Sequence, residues 1–535
     1  MKKKYQGLIS SLPLLILAAF ISCSSPSGPS APMVQRTYDE SVKQVVFTGS
    51  IATIDFKDLD RNDIYLVRVN QSGSNVNAAG TGRVYNMAPN PQNDMEILAD
   101  DNDINNMSAN ELPRMGRPAD ERYLYPLPEP APVASRASNM ALAVFVPPAL
   151  NSTRNFWVES AFGNRNFIQK SATLLATGKY SNIWVIGNSI AKTRAQNLAD
   201  RFDLIYPAET NILGYEYGGG PGGNGGMDGD PKIQILVYNI LDASGNAPVA
   251  GYFWDKDYYT DANIYSRWKW RSNEAEIFYL DASEINSIPD YMYSTLIHEF
   301  QHMINFNMKY VENGKSTETW YNEMLSMMAE DLIAPMIGVS PTNNYHAIQQ
   351  EIPRFLSTYY QIGVTQWLTT TTDLGRSSYS KGFAFGAYLM RNYGGAELLQ
   401  KILANDTANA DSITAALGEI NPGMTFDKAF ARYGEAMIFS GSSIPEGSMT
   451  FDKTVTKKIN GFTYTATGFD IWKMNQKNGA RGSVGPYIFN SAQRDMKPYS
   501  ITIHSDNGWK KRSGDFSVTL EKPANNNVIL YLMVK

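Results

Sequence analysis

The sequence predicts a multidomain protein: an α+β domain over residues 139–440, strands leading into helices, with β-rich modules on either side. Three observations predict it. Short β-branched and aromatic runs bounded by Gly, Asn and Asp recur between residues 141 and 281. The stretch from 290 to 307 then carries apolar residues around most of a helix circumference, the pattern of a buried helix. Strand-like runs lie outside that span, near 45–69 and again from 462 to 532. Together with shifts in composition, these divide the chain into a targeting segment (1–23), a tether and β-rich N-terminal module (24–85), a Pro/Asn/Asp-rich linker (86–138), the α+β domain (139–440) and a C-terminal β-sandwich-like domain (441–535).

The first segment has the form of an export signal. Lys2, Lys3 and Lys4 precede an apolar stretch from Leu8 to Ile21, too short to span a bilayer comfortably. Cys23 follows directly and is the only cysteine; it resembles the lipidated cysteine of a bacterial lipobox. The expectation is an exported chain held on a membrane of the cell envelope through Cys23, with plain secretion as the alternative and Ser24 to Pro32 as a flexible tether. Without a second cysteine the exported chain has no disulfide, so its stability rests on its core and on bound metal. A net charge of −5 with no long basic run gives no reason to expect nucleic acid as a partner, and nothing in the sequence speaks to oligomeric state.

Further along, residues 45–47 and 64–69 read as strands of the N-terminal module. Strands at 141–146 and 181–186 open the α+β domain, and a helix from about 191 to 202 follows, with Ala195, Leu198 and Phe202 at helical spacing. Gly218 to Asp230 is glycine-rich; no Gly-Lys-Ser/Thr follows, which excludes a phosphate loop and leaves a flexible loop. Asp228 and Asp230 there are candidate oxygen ligands for calcium. Strands at 233–238 and 274–281 lead to the apolar helix, for which Asp290 is the expected N-cap. In the C-terminal domain the runs at 462–466, 499–503, 516–520 and 528–532 read as sandwich strands.

The apolar helix carries the chemistry. It contains His298-Glu299-Phe300-Gln301-His302, and so two of the four histidines in the chain. Residues four apart share a helix face, so both imidazoles can hold one metal ion, and Glu299 beside them can take a proton from a water held there. A catalytic zinc needs a third protein ligand and an open position. Glu323 is the candidate, because the twenty residues after His302 allow a loop and an antiparallel return helix. Glu330 lies seven residues on, two turns along the same face, either as a carboxylate that orients a ligand or as a solvated charge. Tyr379 is a candidate donor to the oxyanion that forms when water attacks a peptide carbonyl; its other reading is ordinary packing. His346 and His504 are remote from this constellation in sequence and read as structural or solvated.

The motif at 298–302 followed by Asn322-Glu323-x-x-Ser326-x-x-x-Glu330 resembles the gluzincin zinc peptidases. Tyr379-Ser380-Lys381-Gly382-Phe383-Ala384 is similar to the Tyr-x-Lys-Gly segment of aminopeptidase N-type gluzincins, whose tyrosine stabilises the tetrahedral intermediate. Over about residues 180–435 the chain most resembles the hyicolysin family of secreted bacterial neutral metallopeptidases, through residues 298–305, 320–323 and 201–207. That resemblance implies a thermolysin-like domain: a mixed sheet packed on the metal helix, then a mostly helical lobe, with a cleft between them. It implies zinc on His298, His302 and Glu323, Glu299 as general base and Tyr379 at the oxyanion. It also implies that residues 278–280 form the edge strand that an extended substrate joins. Met324 stands where the family usually has a small residue, often Gly. The Gly-x-Met-Glu-Asn motif that grips a free amino terminus is absent upstream of the metal helix, and Glu274 and Glu276 lack its context. Internal cleavage of protein or peptide substrates is therefore expected over aminopeptidase activity. The alternative from another class is a surface-anchored adhesin or binding protein with a structural zinc.

Overall fold

Seven strands form the sheet that carries the site, in the order Arg114–Met115, Val249–Phe253, Ile277–Asp281, Ile233–Tyr238, Ser181–Ile186, Phe167–Thr177, Thr153–Glu159. The computed structural model describes residues 36–85, 114–115, 145–240, 249–368, 373–441, 444–477, 482–490 and 493–535; the expected export signal, Cys23 and most of the linker lie outside them. Ile277–Asp281, Ile233–Tyr238 and Ser181–Ile186 run parallel, and antiparallel strands flank them on both sides. Ile277–Asp281 is buried at every position. Phe278 and Leu280 join the core on one face, Ile277 and Tyr279 the core on the other. Burial of both faces is what its unbroken apolar run encodes. The strand is therefore interior, which corrects the expectation of an edge at 278–280. Val249–Phe253 lies outside it, and Arg114–Met115 pairs with the outer side of Val249 and Gly251.

Two long helices cover one face of this sheet. Lys192–Leu213 runs well past the expected end near 202 and continues through Pro207. Ala195, Leu198, Phe202, Ile205 and Ile212 form its buried stripe, and Phe202 meets Phe278 and Phe300 at ring-centroid distances of 6.0 and 5.1 Å. That packing outweighs the one backbone donor lost at the proline. Pro289–Asn305 is the helix bearing the histidines. Pro289 occupies its first turn and Ile288 the cap position, so Asp290 is not the N-cap but sits inside the first turn, where its charge suits the helix dipole. Every residue from Tyr291 to Asn305 is buried, and the chain continues into a π-helical turn over Phe306–Val311.

The two β-rich ends meet in one structure. Val42–Gln44, Val528–Val534, Ile64–Asn70 and Ser500–His504 make a four-stranded antiparallel sheet, and Ile51–Asn62 pairs with Arg512–Glu521. A core of Phe56, Leu59, Leu66, Val518, Leu520 and Leu532 lies among them. On the other face of the four-stranded sheet, Val67, Val69, Ile501, Ile503 and Met533 belong to the same core as the metal helix. At Gly434 a Cβ would come within 2.5 Å of Val67 Cγ1, so only glycine lets the helix Tyr433–Ile438 approach that strand. The expected separate N- and C-terminal modules are thus interleaved, and Thr37–Lys535 is one compact unit. Phe462–Ala466, expected as a strand of the C-terminal sandwich, instead forms a hairpin with Val455–Ile459 that packs on Lys192–Leu213, where Tyr464 donates to the Ala208 carbonyl at 2.7 Å. Among the described residues, no helix is long and apolar enough to cross a membrane.

Candidate active site

His298 and His302 project from one face of Pro289–Asn305, their ring centroids 4.7 Å apart and their planes at 87°. The helix Thr319–Ile333 crosses beside it, buried from Trp320 to Ile333. Its Glu323, Ser326 and Glu330 are spaced three and four residues apart, so they line one face and meet the histidines in order. One ligand atom each from His298, His302 and Glu323 lie within 4.8 Å of one another, and all three residues are buried. Among the described residues this is the one such three-ligand group of His, Cys, Asp and Glu.

The outer ring nitrogens are held from behind. His298 Nδ1 lies 2.8 Å from Glu330 Oε1 and its Nε2 lies 3.0 Å from Glu323 Oε2, so both ring nitrogens donate to carboxylates, and a cation held in the cluster would take the place of the Nε2 proton. His302 Nδ1 lies 3.1 Å from Ser326 Oγ, whose own proton goes to Gln301 Oε1. That arrangement makes Nδ1 of His302 the donor and leaves its Nε2 as a buried acceptor with no hydrogen-bond partner. Both Glu299 oxygens are likewise buried and without a partner. Two imidazole nitrogens and a carboxylate oxygen suit a divalent metal such as zinc, and a cation with its remaining ligand would satisfy these orphaned atoms.

The electrostatics follow from burial. Desolvation pushes the Glu299 carboxyl up, with Glu323 adding to the rise and both imidazoles opposing it. Desolvation would also raise Glu323, but the two histidines outweigh it and hold the carboxyl below its ordinary value, hence anionic. Glu330 is pushed up to about 7 by burial, against the pull of His298. It is 2% exposed and bonded to His298, so it is not the solvated charge of its other reading. Glu330→Gln should weaken zinc binding by about 10–100-fold, the usual cost of losing a group that orients a ligand. Competition with a coloured chelator would measure it, and an unchanged affinity would return Glu330 to a packing role.

A third helix, Asp373–Tyr393, packs on Thr319–Ile333. A Cβ at Gly386 would lie 2.6 Å from Met328 Cγ and 3.1 Å from Met324 Cγ, and one at Gly382 would lie 3.7 Å from Met324 Cα. The bulk at Met324 is accommodated by glycines on the facing helix. Buried Arg391 locks the same pair of helices through both oxygens of Asp331, at 2.7 and 3.2 Å. Tyr379 is carried on this helix, buried, its ring edge-on to Trp367 at 4.7 Å. The structure thus gathers His298, His302, Glu323 and Glu330 around the base candidate Glu299, and holds Tyr379 on the neighbouring helix against Trp367. His346 and His504 are buried away from the cluster: His346 Nδ1 accepts from the Ile348 amide at a helix start, and His504 faces Thr502 Oγ1 at 3.2 Å.

Two participants escaped the sequence reading. Ser326 was legible only as a fixed point of the motif. Glu209 is fully buried with neither oxygen partnered, and it lies close enough to His298 and Glu330 to feel their charges. Burial holds its carboxyl well above the carboxylate range. Its signal was present: 195, 198, 202, 205, 209 and 212 form one helical stripe, and Glu209 is the acid in it.

The peptidase M30 family model matches residues 135–467. The neutral metalloprotease ShpI of Staphylococcus hyicus is 32% identical over 193 residues, covering 34% of this chain. The match spans only 40% of that relative's own length. Since the matched family model takes in more than half of the chain and contains both helices that build the cluster, the chain belongs to peptidase family M30, the hyicolysin family.

Proposed function

We propose that this protein is a zinc metalloendopeptidase that hydrolyses internal peptide bonds of protein or peptide substrates. The observation that carries the reading is the buried His298–His302–Glu323 cluster with the unpartnered oxygens of Glu299 on the same helix. A thermolysin-like arrangement of sheet, metal helix and helical lobe is the finer fold we assign. His298, His302 and Glu323 would hold the zinc, which when bound supplies a Lewis acid that acidifies a water and draws charge from the scissile carbonyl. Glu299 takes the proton of the attacking water and returns it to the leaving nitrogen. Tyr379 donates its hydroxyl proton to the carbonyl oxygen as negative charge builds there.

An extended substrate can pair with Val249–Phe253 beyond Gly251, where Arg114–Met115 no longer covers its outer side. Internal cleavage is favoured because the two acids near the sheet are engaged elsewhere: Glu274 accepts from the Asp261 amide at 2.8 Å and Glu276 from the Met227 amide at 2.9 Å. We also assign export and a lipid anchor at Cys23, on the form of the first 23 residues. The test is digestion of an unfolded protein with and without a chelator, with the cut sites mapped. Internal cuts that vanish with chelator and return with zinc are expected. Release of amino-terminal residues alone would make it an aminopeptidase, and zinc retention with no cleavage would favour the binding-protein reading.

A further inference from the structure

The glycine-rich loop after Lys192–Leu213 encloses a second set of carboxylates. The two acids singled out by their place in the sequence, Asp228 and Asp230, are already engaged. Asp228 pairs with Arg154 at 3.2 Å and accepts from the Asp230 amide at 3.0 Å. Asp230 accepts from Asn182 at 2.8 Å, Gln234 at 3.1 Å and the Lys232 amide at 3.0 Å. The loop instead closes on Glu216 and Glu276. Each is 3% exposed, and both line a cavity of about 500 Å³ together with the loop backbone. Glu216 Oε1 accepts from Tyr206 at 2.8 Å and Glu276 accepts from the Met227 amide at 2.9 and 3.1 Å, while Glu216 Oε2 is buried with no partner.

The backbone is pressed against both carboxylates. A Cβ at Gly219 would lie 2.3 Å from Glu216 Oε1, and one at Gly226 would lie 2.1 Å from Glu276 Oε2. Gly218 and Gly226 themselves touch, since a Cβ at Gly218 would lie 2.2 Å from the Gly226 nitrogen. Gly218, Gly220, Gly222, Gly225 and Gly226 all have positive φ, which glycine alone adopts without strain. So the loop spends its glycines on wrapping two acids in peptide groups. Two buried carboxylates in one such loop, one with a bare oxygen, are costly unless a cation neutralises them.

We propose that Glu216, Glu276 and carbonyl oxygens of the Gly218–Gly226 loop bind one calcium ion, apart from the His298–His302–Glu323 cluster. Calcium takes six to eight oxygen ligands in flexible geometry and accepts backbone carbonyls and water beside carboxylates. An all-oxygen loop of this kind suits it better than zinc, which seeks nitrogen and sulfur, or magnesium, which demands a rigid octahedron. Desolvation raises both carboxyls, and each of these acids acts on the neighbouring Tyr258, as expected of acids that share one enclosure.

The experiment uses the full chain with zinc bound and calcium removed. Equilibrium dialysis should find about one calcium per chain at this site, and added calcium should raise the thermal midpoint at constant zinc. Glu216→Gln keeps an acceptor for Tyr206 and should lower calcium affinity by about tenfold or more and abolish the midpoint shift, with zinc content unchanged. Glu276→Gln should do the same, and it decides the matter if the first variant does not fold. A wild-type chain that binds no calcium at millimolar concentration, or a folded variant that binds it as wild type does, overturns the site. Neither readout uses peptide hydrolysis, so its failure is distinct from failure of the catalytic reading.

Discussion

Glu299→Gln should leave zinc content at the wild-type level and lower kcat by about 10²–10⁴-fold, the range that positioned acid–base groups supply. That corresponds to roughly 3–5 kcal/mol of barrier. The substitution is nearly isosteric and removes only the ability to take a proton. Glu299 is fully buried, both its oxygens lack hydrogen-bond partners, and it is not among the three grouped ligands, so nothing around the metal depends on its charge for shape. Zinc analysis alongside hydrolysis of a quenched peptide measures both quantities. Full activity would remove Glu299 as base. Loss of zinc together with activity would make it a structural group. A protein that uses zinc only for structure has no activity to lose, so the same comparison separates the enzyme from the adhesin reading.

Glu323→Ala should have the larger effect on the metal itself. It removes the carboxylate that contacts His298 at 3.0 Å and lies 3.7 Å from His302 Nε2, leaving two imidazoles alone in a buried pocket. The fall in zinc affinity should exceed the about 10–100-fold expected from Glu330→Gln, because a direct ligand is lost. Dialysed protein should then lack both zinc and hydrolysis, and excess zinc should restore little of either. Zinc content equal to wild type would take Glu323 out of the ligand set. The pair of variants is informative because they dissociate: Glu299→Gln retains metal without turnover, while Glu323→Ala loses turnover through the metal.

How far the site was legible follows the range of the interactions involved. His298 and His302 are one turn apart, and Glu323, Ser326 and Glu330 share a helix face, so their mutual placement is set by helical geometry over a few residues. Whether Glu330 faced solvent or a histidine could not be settled in that way. It depends on which side of Thr319–Ile333 meets the metal helix. The error at 278–280 has a different origin. Its run of consecutive apolar residues, without alternation, already described a strand covered on both faces. The resemblance points to an edge there, but in the fold Val249–Phe253 and then Arg114–Met115 lie outside that strand.

What the sequence by itself determined is the family and the local motif that points to a metal: a four-residue histidine spacing and a carboxylate helix twenty residues on. What the tertiary structure decided is everything that depends on chain segments far apart meeting. Residues 64–70 pair with 500–504 and 528–534, so two apparent modules are one sandwich. Glu216 and Glu276, sixty positions apart, close a loop whose own aspartates are engaged elsewhere. Helical periodicity is written locally in the side chains. Strand partners and the enclosure of a buried charge are selected by packing across the whole fold, which no short window of sequence contains.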